Sequence, residues 1–343
     1  MKKVTLISGD GIGPSVTESA VKIIEAAGVN IDWEVAEAGE LALRKFKETL
    51  PTKIIESIRK NRVALKGPLN TPTGSGFKSV NVELRKKFGL YLNLRPIRSF
   101  DGVKSRYENV DLVICRENVE DIYAGQESGN NDKGIITGFI TRANSERFFK
   151  RVFEYAKKNG RKKVTIVHKA NIIKCAYGLF LKVGYEVAGR YPEIKVEDRI
   201  VDNMTMQLVI DPLRFDIIAA SNMFGDILSD LCAGFVGGLG LAPGANIGDD
   251  TAIFEAVHGT APDIAGKNLA NPTSVILSAV MMLEYMGEAK AARMIRVAVK
   301  NVLAEGKDVT RDINPAGVGT IEMTNAIIDR INDLHDLTAE CCA

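Results

Sequence analysis

The chain alternates short apolar runs, rich in β-branched residues, with segments whose apolar residues recur at helical spacing. The strand-like runs are VTLI (4–7), IDWEVAEA, RVALKG, LYLNLRPI, DLVICRE, KVTIVH (163–168), IKVEDRIVD, FDIIAAS and AIFEAVH. Most of them precede a segment of helical period, of which residues 15–27 are the first. This alternation predicts an α/β protein with a largely parallel sheet.

Two segments depart from that alternation. GIITGFIT (134–141) has the spacing of a strand outside the pattern and predicts an arm or hairpin apart from the main sheet. Residues 272–305 contain two consecutive helical patterns, each strongly apolar on one face. We expect these two helices to form core or subunit contacts.

A glycine-rich turn, GDGIGP (9–14), follows the first strand and opens a helix. It is similar to the dinucleotide-binding turn of Rossmann proteins, but Pro14 stands where the third glycine belongs. Proline is well suited to the first turn of a helix. The sequence therefore favours a tight structural turn over a dinucleotide site here.

Composition and charge narrow the class of protein. The 343 residues include 45 basic and 43 acidic side chains, a net charge of +2, so we expect no nucleic acid partner. No run approaches the roughly 20 apolar residues of a membrane span. Five cysteines, three scattered and two in a polar tail, indicate thiols in a reducing compartment rather than a disulfide framework. We expect a cytoplasmic protein of about two domains, with no membrane partner.

An acidic pair carries the first candidate chemistry. Asp226 and Asp230 share a face if their segment is helical, and like charges at that spacing are useful where a cation binds. Carboxylates with few His or Cys nearby favour Mg²⁺ or Mn²⁺. The alternative is a surface helix with two solvated aspartates. The apolar, glycine-rich segment that follows argues for a packed setting.

Three arginines form a second group. Arg95 and Arg116 lie at the ends of predicted strands, and Arg85 follows Ser79 and Asn81 in a helical segment. Guanidinium groups bind carboxylates as flat forks, so converging arginines indicate a di- or tricarboxylate ligand. Taken singly, each arginine has an equally ordinary interpretation as a surface charge.

Two further segments have weaker signals. Lys169 follows a strand in VHKAN, where a desolvated lysine can act as a base, although a surface lysine fits as well, and His168 is predicted to be structural. Residues 255–266 combine small residues with His258 and with Asp263, an acid suited to accept ribose hydroxyls and to repel a 2′-phosphate. By composition alone, this second segment is only a plausible ligand loop.

In their order from GDGIGP to TRDINP (310–315), these motifs resemble the β-decarboxylating dehydrogenases, which comprise isocitrate, homoisocitrate, 3-isopropylmalate and tartrate/malate-type enzymes. The resemblance implies an α/β, isopropylmalate dehydrogenase-like two-domain fold that is not Rossmann. It implies a large cofactor domain from residues 1–99 and 252–343, and a small domain from 100–251. It also implies a homodimer with shared active sites and an intersubunit arm at about 134–142.

The same resemblance assigns roles residue by residue. Arg85, Arg95 and Arg116 would bind the malate moiety of the substrate, with Ser79 and Asn81 beside them. Asp226 and Asp230 would bind the metal together with Asp202 of the partner subunit. The catalytic residues would be Tyr123 and the partner's Lys169. The implied cofactor positions are Thr71, Asn171, Glu255, His258, Gly259, Thr260, Ala261, Asp263, Ile264, Asn271 and Asp312.

Substrate and cofactor follow from departures within the family pattern. Isopropylmalate enzymes carry leucines and a glutamate where this chain has Ser79, Val80 and Asn81, a polar set suited to the third carboxylate of isocitrate. NADP-linked relatives carry lysine and tyrosine where this chain has Asp263 and Ile264, which implies NAD. The expected activity is NAD-dependent, metal-dependent oxidative decarboxylation of isocitrate to 2-oxoglutarate and CO₂.

The sequence also allows other functions. Homoisocitrate is one methylene longer, and a methylene discriminates by only about 1–3 kcal/mol. A 3-isopropylmalate or tartrate-type activity is a further alternative within the family. A regulatory subunit is the non-enzymatic alternative; it would be marked by loss of Lys169, Tyr123 or a metal aspartate, all of which are present.

Overall fold

The structure, a computed structural model, describes residues 1–70 and 79–340. The strands are β1 (Lys2–Ile7), β2 (Ile31–Ala36), β3 (Val63–Lys66), β4 (Leu92–Arg98), β5 (Asp111–Glu117), β6 (Asp121–Gly129), β7 (Gly134–Phe139), β8 (Lys163–His168), β9 (Lys195–Ile200), β10 (Ile217–Ala220), β11 (Pro243–Ile247) and β12 (Ala252–Ala256). The helices are α1 (Gly13–Ala26), α2 (Gly39–Phe46), α3 (Thr52–Asn61), α4 (Val80–Lys87), α5 (Arg142–Lys158), α6 (Ala176–Ala188), α7 (Val201–Ile210), α8 (Asn222–Phe235), α9 (Thr273–Tyr285), α10 (Ala289–Glu305) and α11 (Thr320–Glu340).

Ten strands form one mixed sheet in the order β2-β1-β3-β12-β11-β4-β5-β10-β8-β9. The outer strands on each side are parallel to their neighbours, as the alternating pattern predicts. In the middle, β11 and β4 pair antiparallel with each other and with their outer neighbours. All nine predicted strands are present, and the α/β fold is confirmed. The sheet runs through both proposed domains, whose division stays a prediction.

The two faces of the sheet differ in what they bury. One face lies under a continuous apolar core, to which α1, α5, α6, α9, α10 and α11 contribute. The other face carries two separate apolar clusters. The first packs under α7 and α8, and the second packs under α3 and α4. The gap between these two clusters lies over the central strands, so the helices α4 and α8 face each other across it.

The GDGIGP turn is a tight structural turn, as predicted. Gly9 and Gly11 have φ angles of +82° and +57°, which glycine adopts without strain. A Cβ on Gly11 would lie 2.0 Å from the carbonyl oxygen of Thr260. The Ile12 amide donates to that same oxygen at 2.9 Å, so protein backbone fills the space beside the turn.

Two peripheral predictions are also confirmed. The GIITGFIT segment supplies β7, which pairs with β6 in a two-stranded sheet separate from the main one. Its side chains Ile135, Ile136 and Phe139 are exposed. The two apolar patterns after residue 272 are α9 and α10, and α9 is buried over most of its length. No helix of the described ranges is long and apolar enough to cross a membrane.

Candidate active site

A strip of buried polar side chains occupies the gap between the two apolar clusters. Strand register places all of them on the same face of β3, β12, β11, β4 and β5. This polar strip consists of Lys66, Asn93, Arg95, Arg116, Asn246 and Glu255, all buried. Buried charges cost free energy unless they are paired, so their partners define the site.

Arg116, at the end of β5, is oriented by the first turns of α8. Its Nε and Nη2 donate to Asn222 Oδ1 at 3.0 and 2.7 Å, and its Nη1 donates to Asp226. Burial, with help from nearby Arg85, lowers the pKa of Arg116 to about 9. Because Asn222 and Asp226 both bond to it, the guanidinium is held in one position at the junction of β5 and α8.

Arg95, on β4, contacts the next turn of the same helix. Its Nη1 donates to Ser229 Oγ at 2.5 Å and to Asp230 Oδ1 at 3.2 Å. Its Nε is buried and has no hydrogen-bond partner among the described residues. Burial lowers the pKa of Arg95 despite the opposing effect of Asp226. An anion in the gap would satisfy this unused donor.

The two aspartates predicted to bind a metal do share one face of α8. Asp226 and Asp230 both contact Arg95, with closest approaches of 3.8 and 3.2 Å. Burial raises the pKa of Asp230, and the like charge of Asp226 adds to that effect. Oxygen donors suit a hard cation. No group of three His, Cys, Asp or Glu side chains placed to hold a metal ion occurs among the described residues.

Tyr123, on β6, reaches this pair from the base of the hairpin. Its hydroxyl donates to Asp226 Oδ2 at 3.2 Å, and its ring lies 5.6 Å from the Arg116 guanidinium carbon. Burial and the neighbouring Asp226 raise the pKa of Tyr123, so the hydroxyl keeps its proton at neutral pH. The structure thus brings Tyr123, Arg95, Arg116 and both aspartates together.

Arg85 completes the arginine group from α4. Its Nη2 lies 3.4 Å from Glu255 Oε1, while Lys66 Nζ holds the other carboxylate oxygen at 2.6 Å. Burial alone would raise the pKa of Glu255, but Lys66 and Arg85 outweigh it and hold the pKa at about 2. Arg85 Nε and Asn81 Oδ1 are buried without a partner in the described structure. Arg85 and Asn81 line a small cavity, and Lys66 and Glu255 line it too.

Lys169 and Asp202 form a pair of their own. Lys169 Nζ donates to Asp202 Oδ1 at 2.7 Å, and this bond lowers the pKa of Asp202. Within the described chain, no hydrogen bond or ion pair joins them to Asp226, Asp230 or Tyr123. The pair stays partly exposed. His168 is buried and bonded to Asp198 and to the Ala170 amide, which confirms its structural role.

Among the described residues, the predicted cofactor positions are less tightly assembled than the arginine group. His258 accompanies Gly259, Thr260 and Ala261 directly after β12, and its buried Nε2 has no described partner. Asn271 Nδ2 donates to Asp312 Oδ2 at 3.0 Å. Asp263 and Asn171 are exposed, and Ile264 is half-buried against the main core. Ser79 immediately precedes α4, and Thr71 lies outside the described residues.

A larger cavity lies at the other ends of β5 and β10. It measures about 330 Å³ and is lined by Arg98, Asp111, Tyr155, Asn159, Gly160, Arg161 and Asp216. Its arginines are already paired, since Arg161 bonds to both aspartates and Arg98 to Asp111. It offers less unused bonding capacity than the polar strip, despite its size.

Sequence reasoning missed several members of the site. Lys66, Asn93, Asn222 and Asn246 hold the predicted residues in place, yet none was singled out. The signal was present in two of them, because Lys66 and Asn93 are polar residues inside the otherwise largely apolar runs RVALKG and LYLNLRPI. A polar residue within a buried strand requires a partner.

Comparison with known proteins gives consistent matches. The model of the isocitrate/isopropylmalate dehydrogenase family matches residues 3–327. A solved isocitrate dehydrogenase from Methylococcus capsulatus is 51% identical, with a TM-score of 0.94 over 96% of this chain and 99% of that one. A mitochondrial NAD isocitrate dehydrogenase regulatory subunit from Dictyostelium discoideum is 48% identical, over 97% of this chain and 93% of its own. A 3-isopropylmalate dehydrogenase from Archaeoglobus fulgidus is 46% identical, over 95% and 98%.

Proposed function

The chain belongs to the isocitrate/isopropylmalate dehydrogenase family, and we propose that it catalyses the NAD-dependent oxidative decarboxylation of isocitrate to 2-oxoglutarate and CO₂. The observation that carries this proposal is the convergence of Arg85, Arg95 and Arg116 on one gap. Two of these arginines have a buried Nε without a partner in the described structure. Buried unused donors are costly, and a polyanionic substrate satisfies them.

Isocitrate fits the gap better than isopropylmalate does. Arg85 Nε is a buried donor with no partner in the described chain, and Lys66 and the Asn81 amide line the same small cavity. An isopropyl group would leave those polar atoms unsatisfied, at about 1–3 kcal/mol for each. Homoisocitrate remains the alternative substrate, because its extra methylene alone costs little discrimination.

The metal-binding residues we propose are Asp226, Asp230 and Asp202 of the partner subunit. Their carboxylates match the oxygen donors that Mg²⁺ and Mn²⁺ prefer. The bound cation would supply Lewis acidity that makes the substrate hydroxyl acidic and stabilises developing negative charge.

The side chains then divide the remaining work. The three arginines orient the substrate carboxylates. The partner's Lys169 accepts the hydroxyl proton as hydride leaves for NAD, and its partly exposed position in one chain suits a group offered to a neighbouring subunit. After CO₂ is lost, Tyr123 donates a proton to the carbon from which the carboxylate left. Its raised pKa supports the role of proton donor.

The cofactor assignment rests on residues 255–271 and Asp312. The His258 Nε2, which has no described partner, is available to a ligand, and burial lowers the pKa of His258, so that the ring is neutral. Exposed Asp263 can accept the two ribose hydroxyls of NAD and would repel a 2′-phosphate. We therefore favour NAD over NADP.

A steady-state comparison of isocitrate, homoisocitrate, isopropylmalate and malate, each with NAD and NADP, tests the proposal. We expect the highest kcat/KM for isocitrate with NAD, and no turnover after chelation of divalent cations. A higher kcat/KM for isopropylmalate, or for NADP, would contradict it.

A regulatory subunit is the second candidate, because one 48% identical relative bears that name. The presence of Lys169, Tyr123 and all three aspartates argues for a catalytic chain. Turnover by the purified chain alone would decide between the two.

A further inference from the structure

Beneath the arginines, three buried asparagines meet where β4, β5 and β11 adjoin. Asn93 lies directly opposite Asn246 in the pairing of β4 with β11, and Asn118 follows the end of β5. The Nδ2 atoms of Asn93 and Asn118 donate to Asn246 Oδ1 at 3.0 and 2.8 Å. Asn118 Nδ2 also donates to the Leu90 carbonyl at 3.2 Å.

These bonds fix which way the Asn246 amide points. A backbone carbonyl such as that of Leu90 only accepts, so the Asn118 atom facing it is the nitrogen. That nitrogen in turn faces the oxygen of Asn246. The Nδ2 of Asn246 therefore points away from this cluster, and it donates to Glu255 Oε1 at 2.7 Å.

Two donors approach Glu255 Oε1, and they lie at different distances from it. Asn246 Nδ2 lies at 2.7 Å, whereas Arg85 Nη2 lies at 3.4 Å, and the other oxygen of Glu255 is held by Lys66. Arginine and carboxylate left to themselves approach to about 2.8 Å and often pair through two bonds. Arg85 is thus held loosely, and its Nε has no described partner.

From this geometry we infer that Asn246 is a positioning residue for the proposed reaction: by occupying Glu255 Oε1, it keeps Arg85 from closing onto Glu255 and leaves the guanidinium free for a substrate carboxylate. The inference rests on the proposed function, since it concerns the arginine that binds the substrate. Without the Asn246 amide, Arg85 Nη2, at 3.4 Å, could close onto the vacated oxygen, and the substrate would have to displace an ion pair before binding.

The variant Asn246→Asp tests this directly, because the new side chain has nearly the same shape. When protonated, its carboxyl group accepts from Asn93 and Asn118 and donates to Glu255, as the amide does. When ionised, it repels Glu255 and attracts Lys66 and Arg85, the cations that face it from β3 and α4. Its neighbours Asn93, on β4, and Asn118, just after β5, are uncharged amides.

The expected result is a pH-dependent change in KM for isocitrate. Relative to wild type, KM of Asn246→Asp should be nearly unchanged at about pH 6 and on the order of tenfold higher at about pH 8.5, with a smaller change in kcat. Asn246→Ser is too short to reach Glu255, so its KM should be raised at every pH and without that dependence.

A matched control is Asn144→Asp. Asn144 is also buried and donates to a buried glutamate, Glu117 at 2.8 Å, but it lies outside the polar strip. We expect this control to change thermal stability with pH while KM follows wild type. Circular dichroism and melting curves establish that each variant folds, and Asn246→Ser decides the matter if Asn246→Asp does not.

The outcomes separate this inference from the proposed function. A wild-type chain that fails to turn over isocitrate counts against the proposed function. An active wild type, together with a KM of Asn246→Asp that tracks wild type at all pH values or a KM of Asn246→Ser within about twofold of wild type, overturns the positioning role alone.

Discussion

At the residue scale, charge balance links the site to its proposed ligand. Arg85, Arg95, Arg116 and Lys66 carry four positive charges, and Glu255, Asp226 and Asp230 carry three negative ones. One net positive charge therefore remains in the gap. A divalent cation with a fully ionised tricarboxylate carries one net negative charge, so the complex would neutralise the site. A dicarboxylate with the same cation would not.

Tyr123 is the residue whose chemistry is easiest to isolate. Replacing Tyr123 with Phe removes the hydroxyl that donates to Asp226. We expect kcat to fall about 10²- to 10⁴-fold, the usual contribution of a general acid, with little change in stability because the side chain is 42% exposed. Tyr185→Phe is the matched control, since Tyr185 is equally exposed and bonds to Asp198. Equal loss in both variants, measured by steady-state kinetics, would contradict the assignment.

A substitution at Asp230 tests the proposed metal-binding role of this residue. Asp230→Asn keeps the size of the side chain but removes a charge from the proposed ligand set, so we expect the Mg²⁺ concentration for half-maximal activity to rise by about tenfold or more. Asp333→Asn is the control, because Asp333 also pairs with an arginine and has similar side-chain exposure, 61% against 57%. A Mg²⁺ titration that is the same for Asp230→Asn as for wild type would show that Asp230 does not bind the cation.

At the scale of elements, α8 is packed so closely on β5 that it fixes the site. A Cβ on Gly225 would lie 2.6 Å from Arg116 Cβ. We expect Gly225→Ala to displace Arg116, to destabilise the fold by about 1–3 kcal/mol and to lower kcat/KM. Gly234 lies on the same helix and meets open space, so Gly234→Ala should stabilise by roughly 0.5–1 kcal/mol and leave activity intact. Denaturant titration and kinetics check both, and similar effects of the two alanines would refute the packing argument.

Glu117, at the connection from β5 to β6, makes the stability of the fold depend on pH. Burial raises the pKa of Glu117 to about 7, although amides of Val119, Glu120 and Asn144 donate to it. The folded state thus holds a proton that the unfolded chain releases near pH 4.5. Stability from this group is complete below that pH and is lost as pH rises toward about 7. Glu117→Gln should flatten the change in Tm across this window. A Tm profile parallel to wild type would be the contrary result.

Element prediction succeeded where the signal is local and failed where it is not. Most of the parallel strands are short apolar runs, the edge strands β2 and β9 mix apolar with charged residues, and each was predicted. Strand β11 was missed because its sequence, PGANI, contains proline, glycine and asparagine, which are typical of turns. This strand pairs with β4, which is distant in the sequence, and the side chain of Asn246 bonds to the long-range neighbours Asn93 and Asn118. No local pattern encodes such contacts.

At the scale of the whole molecule, the sequence predicted the site in two groups that one chain does not unite. The arginines, Asp226, Asp230 and Tyr123 share the polar gap, whereas Lys169 and Asp202 pair with each other at a partly exposed position. The family resemblance implies a site shared between two subunits, which would account for this separation. Exposed apolar residues of α7, Met206, Val209 and Ile210, are consistent with a covering subunit. The homodimer remains our proposal.

Mixing two inactive variants tests most directly whether the active site is assembled from two chains. Lys169→Met and Asp226→Asn should each have little activity alone. After joint unfolding and refolding in equal amounts, random pairing gives half heterodimers, each with one intact site, so we expect about a quarter of wild-type isocitrate turnover with NAD. If all these residues acted within one chain, every heterodimer would carry a defect in both sites, and the mixture would stay as inactive as its components.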